Sequence, residues 1–199
     1  MQHYFIDKEH KETDYFEFTE TFKDLSFTFK SCDSVFFKDC IDYGTKTLLS
    51  AIIKKVNLKD KVLDIGCGYG AIGIVLSRFF ENVKITMCDI NNTAVELART
   101  NVLKNHAKNI ENVFYSNAYE NVNEKFDFII TNPPIKAGKE NLLNILLGAK
   151  NFLKDNGELI FVIKKKHGED SIKKILQQNY KDVEIIARDS GYYILRVTK

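Results

Sequence analysis

The chain has 199 residues, of which 44% are hydrophobic and 28% charged, with a formal net charge of +2. This is enough for one large domain with a sizeable core, while its apolar runs are too short to span a bilayer. Cys32, Cys40, Cys67 and Cys88 form no CxxC pair, the four histidines are scattered, and no basic-then-apolar leader opens the chain. No metal site is expected, and the cytoplasm is the expected location.

Residues 1–40 predict short antiparallel strands. Phe16-Glu17-Phe18 and Phe27-Thr28-Phe29 alternate, and Val35-Phe36-Phe37 follows a turn-like Ser31-Cys32-Asp33-Ser34. Eight of the fifteen Phe lie before residue 38. They fit either a sheet face or lid packed on the main domain, or rings that stack on bases. The stretch is assigned as a β-rich extension packed on a core formed by residues 41–199.

Asp42-Tyr43-Gly44-Thr45 is the polar start of an amphipathic helix carrying Leu48, Leu49, Ile52, Ile53 and Val56. Strands and helices then alternate. Val62–Ile65 is a strand, Ala71–Phe80 a helix and Lys84–Cys88 a strand. Thr93–Asn105 is a helix, Val113–Ser116 and Phe126–Thr131 are strands, and Asn141–Leu153 is a helix stopped at Asp155-Asn156-Gly157. Leu159–Ile163 is a strand and Glu169–Gln178 a helix, while Val183–Arg188 and Tyr192–Thr198 flank Asp189-Ser190-Gly191 as a hairpin. The expectation is an α/β, Rossmann-like sheet of seven mostly parallel strands, covered by helices on both faces and ending in an antiparallel pair.

Ligands of such sheets sit beyond the carboxyl ends of the strands. The first strand ends in Asp64-Ile65-Gly66-Cys67-Gly68-Tyr69-Gly70, where glycines let backbone approach a ligand at the positive end of a helix. The second ends at Asp89, a carboxylate suited to both hydroxyls of a ribose or to capping the next helix. The third runs into Asn117-Ala118, an amide for an adenine edge or a simple turn.

The fourth ends in Thr131-Asn132-Pro133-Pro134-Ile135, which holds both prolines of the chain. Successive prolines stiffen the loop and keep Asn132 extended. The Asn132 side-chain oxygen and the Asn132 and Pro133 carbonyls are then fixed acceptors. Two converging acceptors hold a planar amino group and turn its lone pair toward an electrophile. In isolation the same residues would read as an Asn-Pro turn closing a strand.

The ordered set resembles the class I S-adenosylmethionine-dependent methyltransferases. Asp64 to Gly70 matches their D-x-G-x-G-x-G motif, Asp89 the acidic second motif, and Asn132-Pro133-Pro134-Ile135 the N-P-P motif of amino-group methyltransferases. A closer resemblance is to the small-domain family that includes the ribosomal small-subunit RNA guanine-N2 methyltransferases. It rests on His3-Tyr4-Phe5, on Val35-Phe36 through Thr45, and on Asn132 through Lys139. Two features depart from it. Ile135 stands where relatives carry an aromatic, and the second, degenerate domain copy of bacterial relatives has no counterpart in these residues.

The resemblance implies S-adenosylmethionine as cofactor. Gly66, Cys67, Gly68 and Gly70 would lie against its methionine moiety, with Asp64 arranging the loop. Asp89 would hold the ribose, Ile90 would pack on adenine, and Asn117-Ala118 would face the adenine edge. Asn132, Pro133, Pro134 and Ile135 would form the catalytic motif.

Lys136, Lys139, Lys164 and Lys165 lie at or beyond strand ends and are expected to meet RNA phosphates, or to be solvated loop residues. Residues 1–60 hold 9 Lys against 11 acidic residues and the remainder 20 Lys and Arg against 16, a bias compatible with a nucleic-acid substrate. Small-subunit (16S) ribosomal RNA is the expected partner. Adenine N6 and protein glutamine N5 remain alternative acceptors within the same chemistry. A nicotinamide-dependent oxidoreductase is disfavoured by the G-x-G-x-G spacing, and a non-catalytic cofactor module by the intact Asn132-Pro133-Pro134.

Overall fold

A computed structural model describes residues 15–33, 35, 40–134, 138–165 and 169–199. Its elements are β1 (Tyr15–Phe22), β2 (Leu25–Cys32), α1 (Tyr43–Lys55), β3 (Asp60–Ile65), α2 (Ala71–Phe79), β4 (Val83–Asp89), α3 (Asn92–Lys104) and β5 (Ile110–Tyr115). Then follow β6 (Phe126–Thr131), α4 (Lys139–Phe152), β7 (Leu153–Lys164), α5 (Glu169–Asn179), β8 (Asp182–Asp189) and β9 (Tyr192–Thr198).

The apolar runs of β3, β6 and β7 do not alternate with polar residues because both of their faces are covered. Val62, Ile130, Ile160 and Val162 point into one core with α1, α2 and α3. Their neighbours Leu63, Ile129, Phe161 and Ile163 point into a second core with α4 and α5. Seven strands form the sheet in the order β5-β4-β3-β6-β7-β9-β8. β3 pairs in parallel with both β4 and β6, and β9 is antiparallel to β7 and β8. The chain reverses its direction of travel between β3 and β6, so a crevice opens beyond their carboxyl ends. This is the expected α/β architecture.

Three local expectations change. Ser31 and Cys32 belong to β2 and are fully buried, so the turn begins only at Asp33. α4 stops at Phe152, and Leu153 already pairs with Phe126 as the first residue of β7. The positive φ there falls on Asn156 (60°). Gly157 answers a lack of space instead, since a Cβ would lie 3.0 Å from the Lys154 carbonyl oxygen and 3.1 Å from those of Phe126 and Asp127.

The hairpin β1–β2 packs on α3. Phe27 and Phe29 are buried, and Phe18 and Phe29 each meet Tyr69 of the glycine loop at ring-centroid distances of 5.7 and 5.5 Å. These rings are core, not free surfaces for bases; Phe5, Phe36 and Phe37 lie outside the described residues. Two buried amides, Asn101 in α3 and Asn105 at its C-cap, complete the dock. Asn105 Oδ1 accepts from Thr28 N at 3.0 Å while its Nδ2 donates to Thr28 O at 2.8 Å. Asn101 repeats the pattern on Lys30, at 2.7 and 2.9 Å, and its Nδ2 also donates to Tyr69 O at 2.9 Å. The outer edge of β2 is thereby capped by side chains one helical turn apart. No helix among the described residues is long and apolar enough to cross a membrane, and none of their His, Cys, Asp and Glu cluster as a metal site.

Candidate active site

β3 delivers a buried carboxylate and then a loop of tight backbone. Asp64 Oδ2 accepts from Gly73 N at 2.9 Å, tying the strand to the first turn of α2. Its Oδ1 has no hydrogen-bond partner among the described residues, and burial above all pushes its carboxyl up to about 7. Gly66 N and Cys67 N both donate to Cys88 O, at 2.9 and 3.0 Å, so the loop stays stitched to the end of β4. Gly66 and Gly68 adopt φ of +72° and +57°, and beside each the place of a side chain is open space. They face the cavity. Gly70 does not: at φ +93° it begins α2, and a Cβ would lie 2.9 Å from Ile74 Cδ1. Cys67 is buried, and burial drives its thiol well above the usual range, as it also raises Cys88. Both behave as small apolar residues.

Asp89, at the end of β4, accepts from Gly68 N at 2.8 Å through Oδ2 and from Asn91 N at 2.9 Å through Oδ1. One carboxylate therefore holds both the glycine loop and the entry to α3. The same carboxylate lines the cavity. Burial raises the carboxyl, against the opposing pull of its backbone donors. The helix cap considered for Asp89 belongs to Asn91, whose side chain accepts from Ala94 N at 3.2 Å. After β5, Asn117 is exposed and gives its Nδ2 to Glu120 Oε1 at 3.2 Å, and Ala118 turns back at φ +46°.

β6 places the last wall. Thr131 Oγ1 donates to Ile65 O at 2.8 Å, locking the ends of β3 and β6 together. The next residue, Asn132, donates from Nδ2 to Asp42 Oδ1 and Oδ2, at 3.3 and 3.2 Å, and to Thr45 Oγ1 at 2.8 Å. Both Nδ2 hydrogens are thus used, and Oδ1 accepts no hydrogen bond among the described residues. Asp42 is the N-cap of α1 and accepts from Thr45 N at 3.1 Å.

A cavity of about 660 Å³ joins these strand ends. Of the expected residues, Gly66, Gly68, Asp89, Ile90, Asn117, Ala118, Asn132 and Pro134 line it. Asp64, Cys67 and Gly70 stand behind the wall instead. Pro133 is outside the lining, and Ile135 and Lys136 are outside the described residues. Lys139, Lys164 and Lys165 do not line the cavity. Lys139 Nζ reaches Ser171 Oγ at 3.3 Å, Lys164 Nζ lies 4.6 Å from the centre of the Tyr192 ring, and Lys165 is exposed beyond β7. Sequence reading missed Asn141, Asn144 and Ile145, which α4 brings to the wall, because their spacing is that of any helix face. It also missed the hold that Asp42 and Thr45 have on Asn132.

The open ground over Gly66 and Gly68 and the carboxylate of Asp89 at the cavity wall fit a nucleoside carrying an amino-acid tail. The volume also suits a ligand of that size. A switch-point cavity with this donor and acceptor set fits S-adenosylmethionine, the cofactor of the class I methyltransferases that the sequence resembles.

Comparison with known proteins identifies the family. Residues 26–196 match the methyltransferase small domain, and the chain belongs to that family. It is 34% identical to the Bacillus subtilis protein YbxB, itself uncharacterized, over all of this chain and 98% of that one. It is 30% identical to ribosomal RNA small subunit methyltransferase C of Erwinia tasmaniensis over 176 residues, 86% of this chain but 49% of the relative. The chain thus spans about half the length of that relative. Among solved structures, T. thermophilus 16S rRNA N2 methyltransferase (RsmC), in complex with AdoMet and guanosine, superposes with a TM-score of 0.81 at 20% identity. That match covers 93% of this chain and 50% of the other.

Proposed function

We propose that this chain methylates the exocyclic N2 amine of a guanine in small-subunit ribosomal RNA. The observation that carries the reading is Asn132 at the cavity wall, whose amide is locked through Nδ2 while Oδ1 accepts no hydrogen bond among the described residues. A pre-oriented acceptor beside a cofactor-sized space is what an amino group needs to be held for transfer. The relatives described as RNA small-subunit methyltransferases support RNA as the substrate, as does the positive bias of the chain after residue 60.

When bound, S-adenosylmethionine supplies a methyl on a positively charged sulfur, and its S–C bond breaks as the new N–C bond forms. The chain's part is positioning. Asp89 accepts from the ribose hydroxyls, Ile90 lies along adenine, and Asn117 offers Oδ1 to the adenine amine because Glu120 occupies its Nδ2. Asn132 Oδ1 and the Pro133 carbonyl accept the two N–H bonds of the target amine and aim its lone pair at the methyl carbon. No charged base is required, since the amine becomes acidic on methylation and gives its extra proton to water afterwards. Lys164 and Lys165 at the end of β7, with Lys136 and Lys139 after β6, meet phosphates.

Asn132→Ala tests this. Removing a pre-oriented polar group from such a site costs about 10²-fold or more in turnover, whereas S-adenosylmethionine affinity by calorimetry stays within about twofold. Retained turnover with lost cofactor affinity would contradict the assignment.

A further inference from the structure

We propose that Asp42 is the positioning residue that decides which end of the Asn132 amide faces the acceptor, making the site select an amino edge over a keto edge. This rests on the reading of Asn132 as the holder of the target amine.

The cap of α1 does not account for an aspartate at this place. A cap needs one side-chain acceptor, and asparagine or serine supplies it as well as aspartate. Asp42 is buried, at 8% exposure, where a carboxylate is costly to desolvate. Its Oδ1 serves the cap through Thr45 N and lies 3.3 Å from Asn132 Nδ2, whereas among the described residues its Oδ2 accepts from Asn132 Nδ2 alone, at 3.2 Å. The second oxygen is thus the part of the side chain that the cap leaves unexplained. A carboxylate accepts through both oxygens, so it can face only the NH2 end of an amide.

Thr45 reinforces the choice from the same turn. Its Oγ1 lies 2.8 Å from Nδ2 and takes the remaining hydrogen. If the Asn132 amide were flipped, its oxygen would stand against two carboxylate oxygens, and the cavity would be offered an N–H donor. A donor there repels an amine and welcomes a carbonyl. Guanine carries both groups, N2 and O6, so the orientation of one amide separates a target edge from a neighbouring one. The backbone stiffness of Pro133-Pro134 sets where Asn132 sits; Asp42 sets which of its atoms is presented.

The test is an exchange of the two side chains, assayed for methyl transfer from S-adenosylmethionine to small ribosomal subunits purified from cells lacking the protein. Asp42→Asn keeps a competent cap and a near-identical shape but sets an amide that can donate against Nδ2. The expected result is a fall of about 100-fold in kcat, with S-adenosylmethionine affinity and melting temperature close to wild type. In the double variant Asp42→Asn with Asn132→Asp, residue 42 donates and residue 132 accepts while still showing an oxygen to the cavity. This pair is expected to recover at least tenfold over Asp42→Asn alone. Thr45→Val, which removes one acceptor and leaves the cap side chain in place, is expected to lower kcat by a smaller factor, should Asp42→Asn fail to fold.

A purely structural role for Asp42 predicts a lower melting temperature, unchanged kcat per folded molecule, and no recovery in the exchange; that pattern overturns the proposal. Undiminished transfer by Asn132→Ala instead overturns the reading of Asn132 itself. Loss in Asn132→Ala with normal kcat in both Asp42→Asn and Thr45→Val leaves that reading intact and removes Asp42.

Discussion

Asp64 is a buried carboxylate, at 1% exposure, held by a single backbone donor among the described residues. One oxygen accepts from Gly73 N; the other has no hydrogen-bond partner among the described residues, and burial lifts the carboxyl from its ordinary 3.8 to about 7. The unfolded chain ionises this group near 4, the ligand-free folded protein near 7. Its contribution to stability is therefore complete below about pH 4, declines as pH rises through about 7, and is absent above it. A shift of this size corresponds to ~4 kcal/mol at most. Asp64→Asn keeps an acceptor for Gly73 N and removes the titration. In the absence of cofactor it is expected to raise the melting temperature at pH 8 and to have little or opposite effect at pH 5, as read by thermal denaturation. A stability difference independent of pH would contradict the account.

At the same scale, Asp64, Asp89 and Asn132 were legible because each lies within one residue of a strand's carboxyl end and carries a group that a core has no use for. The hold of Asp42 on Asn132 was not. Ninety residues separate the two, and Asp42-Tyr43-Gly44-Thr45 carries the signal of an ordinary helix start, so nothing local marks the second use of the carboxylate. The roles expected of Cys67 and Gly70 shift for a similar reason. A glycine motif shows where the backbone turns, but which of its residues face a ligand depends on helix α2 and on Ala98 of α3 packing behind it.

Among the elements, the buried parallel strands were the most legible, because a run covered on both faces needs no alternation. The boundaries that moved are those set by neighbours. β7 begins at Leu153 because Phe126 offers it a pairing partner, and a bulge around Asp155-Asn156 absorbs the extra residues before Glu158 meets Phe128. The amides of α3 were hidden in plain polarity. Asn101 and Asn105 resemble solvent-facing helix residues in sequence, yet both are buried against the β2 edge. Asn101→Ala leaves Lys30 N, Lys30 O and Tyr69 O without that partner, and a stability loss of about 2–3 kcal/mol in urea titration is expected. Leu103, two residues along and 77% exposed, is the control: Leu103→Ala should stay within about 0.5 kcal/mol. Equal effects of the two would mean that the amide dock does not hold the hairpin.

For the molecule as a whole, the hairpin, α3 and the glycine loop form one mechanical unit. Phe18 and Phe29 press on Tyr69, Asn101 ties Tyr69 O to β2, and Asp89 ties Gly68 to the sheet. On the other side of the crevice, α1 and β6 share the Asp42–Asn132 contact. In the proposed reading, the cofactor half of the site and the acceptor half are built by different parts of the chain and meet at the switch point between β3 and β6. This arrangement explains why the glycine loop identifies the cofactor but says nothing of the acceptor. The acceptor is also where the central claim lies. It is tested most directly by mass mapping of modified nucleosides in ribosomal RNA from cells with and without this protein. The account predicts one N2-methylguanosine in the small-subunit RNA that vanishes when the protein is removed and returns with the wild-type chain but not with Asn132→Ala. Unchanged guanine methylation, with a methyl lost instead from adenine N6 or from a protein amide, would contradict it.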